Sequence, residues 1–363
     1  ARSENATFQK HKWLVLISDE TQNIKNPSSN QTRAVRSIRA DTKIAMTGTP
    51  VENRLMDYWS ILDFIMKKFV GSQNSFRENF ATPIERFRNQ AKLEDFRKIT
   101  APFILRREKT DKSIINDLPD KIEIEKYNLL TPQQTALYQQ VINSADLQLQ
   151  NARGIASKGI IFKLFTNLKQ ICNHPSHYLG KKAGNISDSG KTEMLIDLLQ
   201  QIFNMEEKVL IFTQYTKMGN LLSSMVEEYF NINPLFLHGG LNRKKRDKII
   251  DIFQKNNSPQ VLILSLKAGG TGLNLTAANN VIHYDLWWNP AVETQATDRA
   301  FRIGQKKNVT IYRMITKGTF EEKIDEMLQK KKELADLTIN VGEKWITEMS
   351  NEELKKLVAI SKD

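Results

Sequence analysis

Short runs of mostly apolar residues alternate with segments of helical periodicity in the second half of the chain. Unbroken apolar runs bounded by turn signals are typical of strands that are buried on both faces. Strands that alternate with helices predict a parallel, doubly wound α/β sheet, whose ligands bind at the carboxyl ends of the strands. The predicted strands are 209–212, 235–237, 261–264, 281–284 and 309–312, and the predicted helices include 194–203, 217–230 and 243–254.

The first half of the chain shows a shorter version of the same pattern. Trp13–Ile17 is an apolar run that ends in Ser-Asp-Glu, and Lys43–Met46 is a run that ends in Thr-Gly-Thr-Pro. We expect the first to be a buried parallel strand and the second to be another short strand. The helical spacing over 57–89 and 131–170 predicts a helical region between the two α/β parts.

Composition narrows the class of partner. The 363 residues are 40% hydrophobic and include 53 Lys and Arg against 41 Asp and Glu, a formal net charge of +12. This surplus favours an anionic partner, usually nucleic acid, although a basic protein without such a partner has the same balance. The single cysteine excludes an internal disulfide framework, and no apolar run is long enough to span a membrane.

Gly190–Thr192 reads Gly-Lys-Thr, like the end of a phosphate-binding loop, but two features of the sequence argue against one. Such a loop has four residues between its first glycine and the Gly-Lys, and it follows a buried strand. Five residues separate Gly184 from Gly190, and no strand pattern precedes them. Helical spacing follows, so we expect a helix to start here, with one of residues 187–189 as its N-cap.

An acidic pair, Asp19 and Glu20, follows the first predicted strand. At such a position many nucleotide hydrolases hold Mg²⁺ and polarise the attacking water. Asp19 would bind the metal through water, and Glu20 would act as the general base. The alternative is that the pair caps the turn after the strand.

A second set of candidates lies late in the chain. Gln295, Asp298, Arg299 and Arg302 have the i, i+3, i+4, i+7 spacing that places residues on one face of a helix. Arginines in a cleft stabilise the charge of a transferring phosphoryl group, whereas on an isolated helix they form a solvated or salt-bridged surface. The glycine-rich segment 265–274 follows a predicted strand and would let backbone N–H groups approach the phosphates of a nucleotide or of nucleic acid.

Two further patterns have ordinary explanations. Cys172, His174 and His177 have the spacing Cys-x-His-x-x-His, but one thiolate and no fourth ligand nearby favour core packing over a zinc site. The basic run 242–248 opens a predicted helix, where a solvated face is the default and a phosphate contact is the alternative.

Several blocks, in the order in which they occur, resemble the Swi/Snf family of ATP-dependent DNA translocases, which belongs to the two-lobed superfamily two helicases. Residues 19–26 (DETQNIKN) resemble the family's second motif and residues 46–53 (MTGTPVEN) its third. The other similar blocks are PFILRREKTDKSIINDLPDKIE, LKQICNHP, KVLIFTQY, LHGGL, LSLKAGGTGLNLTAANNVIHYDLWWNP and QATDRAFRIGQ. Thr21 departs from the family's small Ala or Gly, and we expect its hydroxyl to tune the motif. Trp287 and Trp288 match a tryptophan pair for which core packing is an equally good role.

The resemblance implies two RecA-like lobes with ATP and Mg²⁺ between them and double-stranded DNA held across both. Asp19, binding Mg²⁺ through water, and Glu20 would be catalytic, together with Arg299 and Arg302 as arginine fingers. Thr47 would couple hydrolysis to lobe movement. The other implied residues are Gly272, Gln295 and Asp298 near the cofactor, and Gln214, Lys267 and Thr271 near the DNA backbone.

The resemblance also implies an organisation of the chain. The expected parts are 1–56, the remnant of a truncated first RecA-like lobe; 57–185, a helical insertion region and linker with parts of 101–128 returning to the first lobe; 186–340, a complete second lobe; and 341–363, a helical tail. The family's phosphate-binding loop belongs upstream of Asp19 and has no counterpart in this sequence. We therefore expect the C-terminal part of a DNA translocase, monomeric and inactive as an ATPase by itself.

Other functions remain open at this point. A truncated, non-catalytic module that docks DNA or protein would have the same sequence, whereas an RNA helicase is disfavoured by the helical insertions and the tryptophan pair. Double-stranded DNA is the expected partner, a DNA-bound protein is a further one, and a membrane is not expected. The location would be the cytoplasm, with the nucleoid, in a prokaryote, which the composition favours, or the nucleus in a eukaryote.

Overall fold

The computed structural model describes residues 5–26, 29–48, 55–87, 89–105, 118–150, 152, 154–255, 260–265, 273–334, 349 and 351–361. These residues form two compact units, the first containing the described residues up to 105 and the second those from 118 to 333 and from 349 onward. Each unit has its own parallel sheet. The predicted fold class, an α/β protein with parallel-sheet lobes, is confirmed.

The first unit combines a pair of parallel strands with a group of helices. Its elements are α1 (Asn5–Gln9), β1 (Lys12–Ser18), α2 (Asn30–Arg36), β2 (Arg39–Ala45), α3 (Leu55–Ile65), α4 (Gln73–Phe76), α5 (Thr82–Phe87) and α6 (Gln90–Thr100). Helices α3 to α6 close over a core that includes Leu55, Trp59, Leu62, Phe76 and Phe96. The expectation of a buried β1 is wrong, because Leu14 is 76% exposed and β2 is the only strand paired with β1 among the described residues.

The second unit contains a six-stranded sheet. Its elements are β3 (Lys121–Asn128), α7 (Pro132–Gln150), α8 (Ile155–Asn173), α9 (Pro175–Leu179), α10 (Gly190–Asn204), β4 (Val209–Thr213), α11 (Thr216–Phe230), β5 (Leu235–Leu237), α12 (Arg243–Lys255), β6 (Val261–Ser265), β7 (Asn280–His283), α13 (Pro290–Thr297), β8 (Val309–Thr316), α14 (Phe320–Leu334) and α15 (Asn351–Val358). The strand order is β3-β8-β7-β4-β6-β5, and every pair of neighbouring strands is parallel. All five strands predicted in this half are present.

Alternate residues of each central strand enter two different cores. In β4, Val209 and Ile211 pack in a cluster with residues of α10 and α11, and Leu210 and Phe212 pack in a cluster with residues of α12 and α13. Helices therefore cover both faces of the sheet, which is the doubly wound arrangement that unbroken apolar strands predict. The carboxyl ends of the strands form one edge, where Gln214 follows β4.

The region before the predicted second lobe differs from the sequence expectation. Strand β3 lies in the second sheet, where Ile122 pairs with Thr310 of β8, so residues 121–128 do not lie in the first sheet. Its Lys-Ile-Glu-Ile-Glu alternation is typical of an edge strand with one wet face. Helices α7 and α8 also belong to the second unit, since they share a core with α14, α15 and Trp288.

Candidate functional site

The acidic pair lies directly after β1, at the carboxyl end of the first sheet. Asp19 is exposed and Glu20 is half-buried. Glu20 has a left-handed backbone, with φ 49° and ψ 49°, and its N–H group donates to Oδ1 of Asp19 at 2.8 Å. A left-handed residue other than glycine is uncommon and persists where surrounding contacts hold it, often at functional sites. The turn presents both carboxylates at the sheet edge where α/β proteins bind ligands.

A glutamine links Glu20 to the neighbouring strand. Gln22 is buried, and its side-chain Nε2 donates to the Glu20 carboxylate while its Oε1 accepts a hydrogen bond from the Thr47 hydroxyl at 2.6 Å. Thr47 follows β2, which pairs with β1. This link could not be predicted from local sequence patterns, because Gln22 and Thr47 are 25 residues apart.

The arginine pair does not lie on a helical face, contrary to the prediction. Helix α13 ends at Thr297, Asp298 is its C-cap, and turns follow. Beyond the cap, the Arg299 N–H donates to the Ala296 carbonyl at 3.3 Å, three residues back instead of four, and the Arg299 carbonyl accepts the N–H of Leu275 at 2.8 Å. The four candidates still lie together in sequence around this turn, but they do not form one stripe.

Exposure distinguishes the two arginines. Arg302 is exposed, and its Nη1 lies 3.4 Å from the Leu273 carbonyl, whereas Arg299 is half-buried. Gln295 in α13 and the cap residue Asp298 are also half-buried. An exposed guanidinium is accessible to an anion, which is compatible with the predicted role of Arg302 in phosphoryl transfer. That role stays a prediction.

The glycine-rich segment begins at the end of β6. Strand β6 ends at Ser265, and the next described residue is Leu273. Lys267, Thr271 and Gly272 therefore lie outside the described residues, and their proposed contacts stay predictions.

Gln214, the expected DNA-backbone residue, is bound within the second unit. It follows β4, and its N–H donates to Oδ1 of Asp285 at 2.7 Å while its side-chain Nε2 donates to the Leu286 carbonyl at 2.7 Å. Asp285 also accepts from the Thr213 hydroxyl at 2.6 Å and from Asn173 at 3.0 Å. Burial raises the pKa of Asp285, and the hydrogen bonds from Thr213 and Gln214 and the charge of Lys169 oppose that shift. Asp285 was missed, although an acid directly after a buried strand is the signal that identified Asp19.

The loop after β7 is held in place by a buried lysine. Lys169 of α8 donates to the Leu286 carbonyl at 2.9 Å, and its ammonium lies 4.2 Å from the centre of the Trp288 ring. Trp288 is 8% exposed and packs edge-on against Phe165 at 5.5 Å. The described contacts therefore give Trp288 a core-packing role. Trp287 is half-buried, and its backbone N–H donates to the carboxylate of Glu293 at 2.7 Å.

That carboxylate belongs to a buried ionic network. Arg313 of β8 contacts Glu293 at 3.2 Å, Asp325 at 2.5 Å and Glu125 at 3.4 Å. Burial raises the pKa of Glu293, and the charge of Arg313 opposes the shift. Burial also opposes the charge of Arg313, but Glu293 and Asp325 outweigh it and raise the pKa of the guanidinium. One arginine thus connects β8, β3, α13 and α14.

The Gly-Lys-Thr segment is the start of a helix, as predicted. The Ser189 hydroxyl caps α10 and accepts the N–H of Lys191 at 3.3 Å. A side chain at Gly190 would place its Cβ 2.3 Å from the Leu129 carbonyl oxygen, which explains the glycine. Lys191 forms a 2.7 Å ion pair with Glu321, and the two side chains are 0% and 3% exposed. Its ammonium is therefore engaged inside the protein.

The three residues of the Cys-x-His-x-x-His pattern are all buried. Cys172 is fully buried, and burial raises the pKa of its thiol. His174 accepts the N–H of Ser176 at 3.0 Å and bonds the Asn185 carbonyl at 2.9 Å. Within the ranges that the structure describes, no group of three or more His, Cys, Asp and Glu side chains could hold a metal ion.

The basic run at the start of α12 lies on the protein surface. The basic residues of α12 are largely solvated, since Arg243 and Asp247 form a 3.8 Å pair with side chains 95% and 67% exposed. A phosphate contact there stays a prediction. Among the helices of the described part of the chain, none is both long and apolar enough to cross a membrane.

Comparisons with known proteins give matches over both units. Residues 1–177 match the SNF2-related domain, and residues 190–304 match the helicase conserved C-terminal domain. YwqA of Bacillus subtilis (strain 168), whose name describes an ATP-dependent helicase/translocase, is 44% identical over 351 residues. The match covers 96% of this chain but only 38% of that protein.

Two solved structures also match, one over nearly the whole chain and one over about two thirds of it. The Sulfolobus solfataricus SWI2/SNF2 ATPase core in complex with double-stranded DNA is 42% identical, with a TM-score of 0.61, and the match covers 98% of this chain and 75% of that one. The C-terminal domain of the same ATPase is 39% identical, with a TM-score of 0.58, over 67% of this chain and all of that one. With two matched domains in this order on two parallel-sheet units, the chain belongs to the Swi/Snf (SNF2) family.

Proposed function

We propose that this chain carries the hydrolytic carboxylates and the second lobe of an ATP-dependent translocase that moves along double-stranded DNA. The observation that carries the proposal is the hydrogen-bonded chain Glu20–Gln22–Thr47 at the ends of β1 and β2. Gln22 links the Glu20 carboxylate, which would activate water, to Thr47 after β2. Hydrolysis would therefore be coupled to the position of the neighbouring strand. Because the chain spans 38% of its Bacillus relative, the activity of the whole protein is part of this proposal.

The carboxylates suit a magnesium nucleotide. Asp19 offers an exposed oxygen ligand of the kind that Mg²⁺ prefers, directly or through water, and Glu20 lies beside it as the general base. When bound, the magnesium nucleotide supplies the transferring phosphoryl group and neutralises part of its charge. Arg302, with its exposed guanidinium, would stabilise the charge that develops on that group, with Arg299 beside it.

We also infer that the 363-residue chain alone does not turn over ATP. No segment of it has the Gly-x-x-x-x-Gly-Lys-Ser/Thr spacing that cradles phosphates, and Lys191 is buried against Glu321. DNA binding by the chain would rest on its net charge of +12, so it would be weak and would fall steeply with salt.

The test is ATP hydrolysis with double-stranded DNA, single-stranded DNA and RNA, measured on the natural protein that contains this chain and on the chain alone. We expect the natural protein to be stimulated by double-stranded DNA and inactivated by Glu20→Gln, with Glu94→Gln, at an exposed position of α6, as the matched control. Turnover by the chain alone that Glu20→Gln abolishes would overturn its predicted inactivity. DNA binding without hydrolysis by the natural protein would favour a docking module instead.

A further inference from the structure

Thr21 lies at a crossing of hydrogen bonds between the two strands of the first unit. Its side chain is 0% exposed, and its hydroxyl lies 2.8 Å from the Ser18 carbonyl and 3.1 Å from the Met46 carbonyl. Its N–H also donates to the Met46 carbonyl, at 3.0 Å, and the N–H of Met46 donates to Ser18 at 2.8 Å. The hydroxyl proton is shared between two carbonyls, that of Ser18, the last residue of β1, and that of Met46, the residue after β2.

The neighbours of Thr21 are the residues on which the proposed hydrolysis depends. Glu20, directly before it, is held in the left-handed conformation, and Gln22, directly after it, joins the Glu20 carboxylate to Thr47. Thr21 is therefore the middle residue of a three-residue segment whose two outer side chains are hydrogen-bonded to each other. A shift of this backbone would move both partners of that bond.

We propose that Thr21 is a positioning residue for hydrolysis, which rests on the proposed function. Its buried hydroxyl fixes the turn after β1 to the end of β2, and so keeps Glu20 and the Gln22–Thr47 link in one arrangement. Each acceptor carbonyl retains a second donor without the hydroxyl, since Met46 still donates to Ser18 and the Thr21 N–H to Met46. Removing the hydroxyl therefore loosens the turn without leaving an unpaired buried group.

Valine and serine separate the hydroxyl from the shape of the side chain. Thr21→Val keeps the branched shape and removes the donor, and Thr21→Ser keeps the donor. Amide hydrogen exchange in the chain without nucleotide should be about fivefold faster at residues 21 and 46 in Thr21→Val, as expected for one lost hydrogen bond, and near wild type in Thr21→Ser. Thr32→Val, at another fully buried threonine of this unit, should leave the exchange of Met46 unchanged.

Activity of the natural protein that contains this chain gives the second readout. Thr21→Val should lower kcat about tenfold with little change in the KM for ATP, because the general base is displaced while nucleotide contacts remain, and Thr21→Ser should restore kcat. Unchanged exchange in Thr21→Val would overturn the link between the strands, and faster exchange with unchanged kcat would overturn the positioning role. A wild-type protein that does not hydrolyse ATP would refute the proposed function, and with it the positioning role, while the exchange data would still report whether the hydroxyl holds the turn.

Discussion

Replacing Lys191 by methionine tests whether the lysine of the Gly-Lys-Thr segment holds the second unit together. Lys191 and Glu321 form a 2.7 Å pair with almost no solvent exposure, and Glu321 accepts one other hydrogen bond, from the N–H of Thr316 at 3.0 Å. Removing one partner of a buried pair costs about 3–5 kcal/mol, because the remaining charge stays buried. Because the N–H of Thr316 still donates to the Glu321 carboxylate in this variant, we expect the free energy of unfolding to fall by an amount near the lower limit, about 3 kcal/mol.

A double-mutant cycle isolates the pair. Glu321→Gln alone leaves a buried ammonium, so its cost should be similar, about 3 kcal/mol. The double variant Lys191→Met/Glu321→Gln has no buried charge, and the glutamine oxygen can still accept the N–H of Thr316. Its loss should be about 1–2 kcal/mol, well below the sum of the two single losses.

Hydrogen exchange of the buried β4 amides measures this stability in the second unit without interference from the first. Arg243→Met, which breaks the exposed pair with Asp247, is the matched control and should leave that exchange unchanged. If Lys191→Met keeps wild-type exchange and instead weakens nucleotide binding, the ammonium reaches a phosphate rather than Glu321, and the helix-start interpretation is refuted.

Three other perturbations test the site and its support. Burial lowers the pKa of His283 from 6.5 to about 3, so the unfolded chain binds the proton first: the stability is complete above pH 6.5 and falls toward pH 3, by about 2 kcal/mol at pH 5. His283→Gln should remove that part of the difference between pH 7 and pH 5 in urea unfolding, whereas His11→Gln, at an exposed position, should keep it. Arg302→Ala in the natural protein should abolish ATP turnover and leave nucleotide affinity within about threefold, measured by fluorescent-nucleotide titration; unchanged turnover would remove Arg302 from the site. Asp285→Asn should lower the free energy of unfolding by about 2–3 kcal/mol, because the new amide faces three donors, and an unchanged urea midpoint would contradict that.

The sequence was most informative where burial alone determines the element. Strands β4 and β6 are unbroken apolar runs apart from their last residue, and the start of α10 has a cap and an amphipathic pattern, so these elements follow from local chemistry. Strand β3 was missed because its alternating charges lie within a stretch with helical neighbours, and only its pairing with β8 defines it. The end of α13 was missed because neither glycine nor proline follows Thr297 before Gly304, and the bond between the Arg299 carbonyl and the Leu275 N–H, just beyond the helix, joins residues distant in sequence.

The same distinction applies to the site. Asp19 and Glu20 were predicted from their place after a strand, which is a local property. The contact between Gln22 and Thr47 depends on the register that places Ser18 beside Ala45, and local patterns do not encode register. The candidate positions were therefore predicted from the sequence, whereas the hydrogen bonds that hold them required the strand pairing.

In both units, a glutamine side chain links the loops that follow two paired strands. In a parallel sheet, ligands bind where neighbouring strands end, so the loops that leave those ends must be held in place without a ladder of backbone bonds. In the first unit the amide of Gln22, after β1, accepts from Thr47, after β2; in the second the amide of Gln214, after β4, donates to the Leu286 carbonyl, after β7. Each glutamine thus joins the loops of two paired strands. A change in spacing between the ends of β1 and β2 must therefore move Glu20, and one between β4 and β7 must move the loop that carries Trp288.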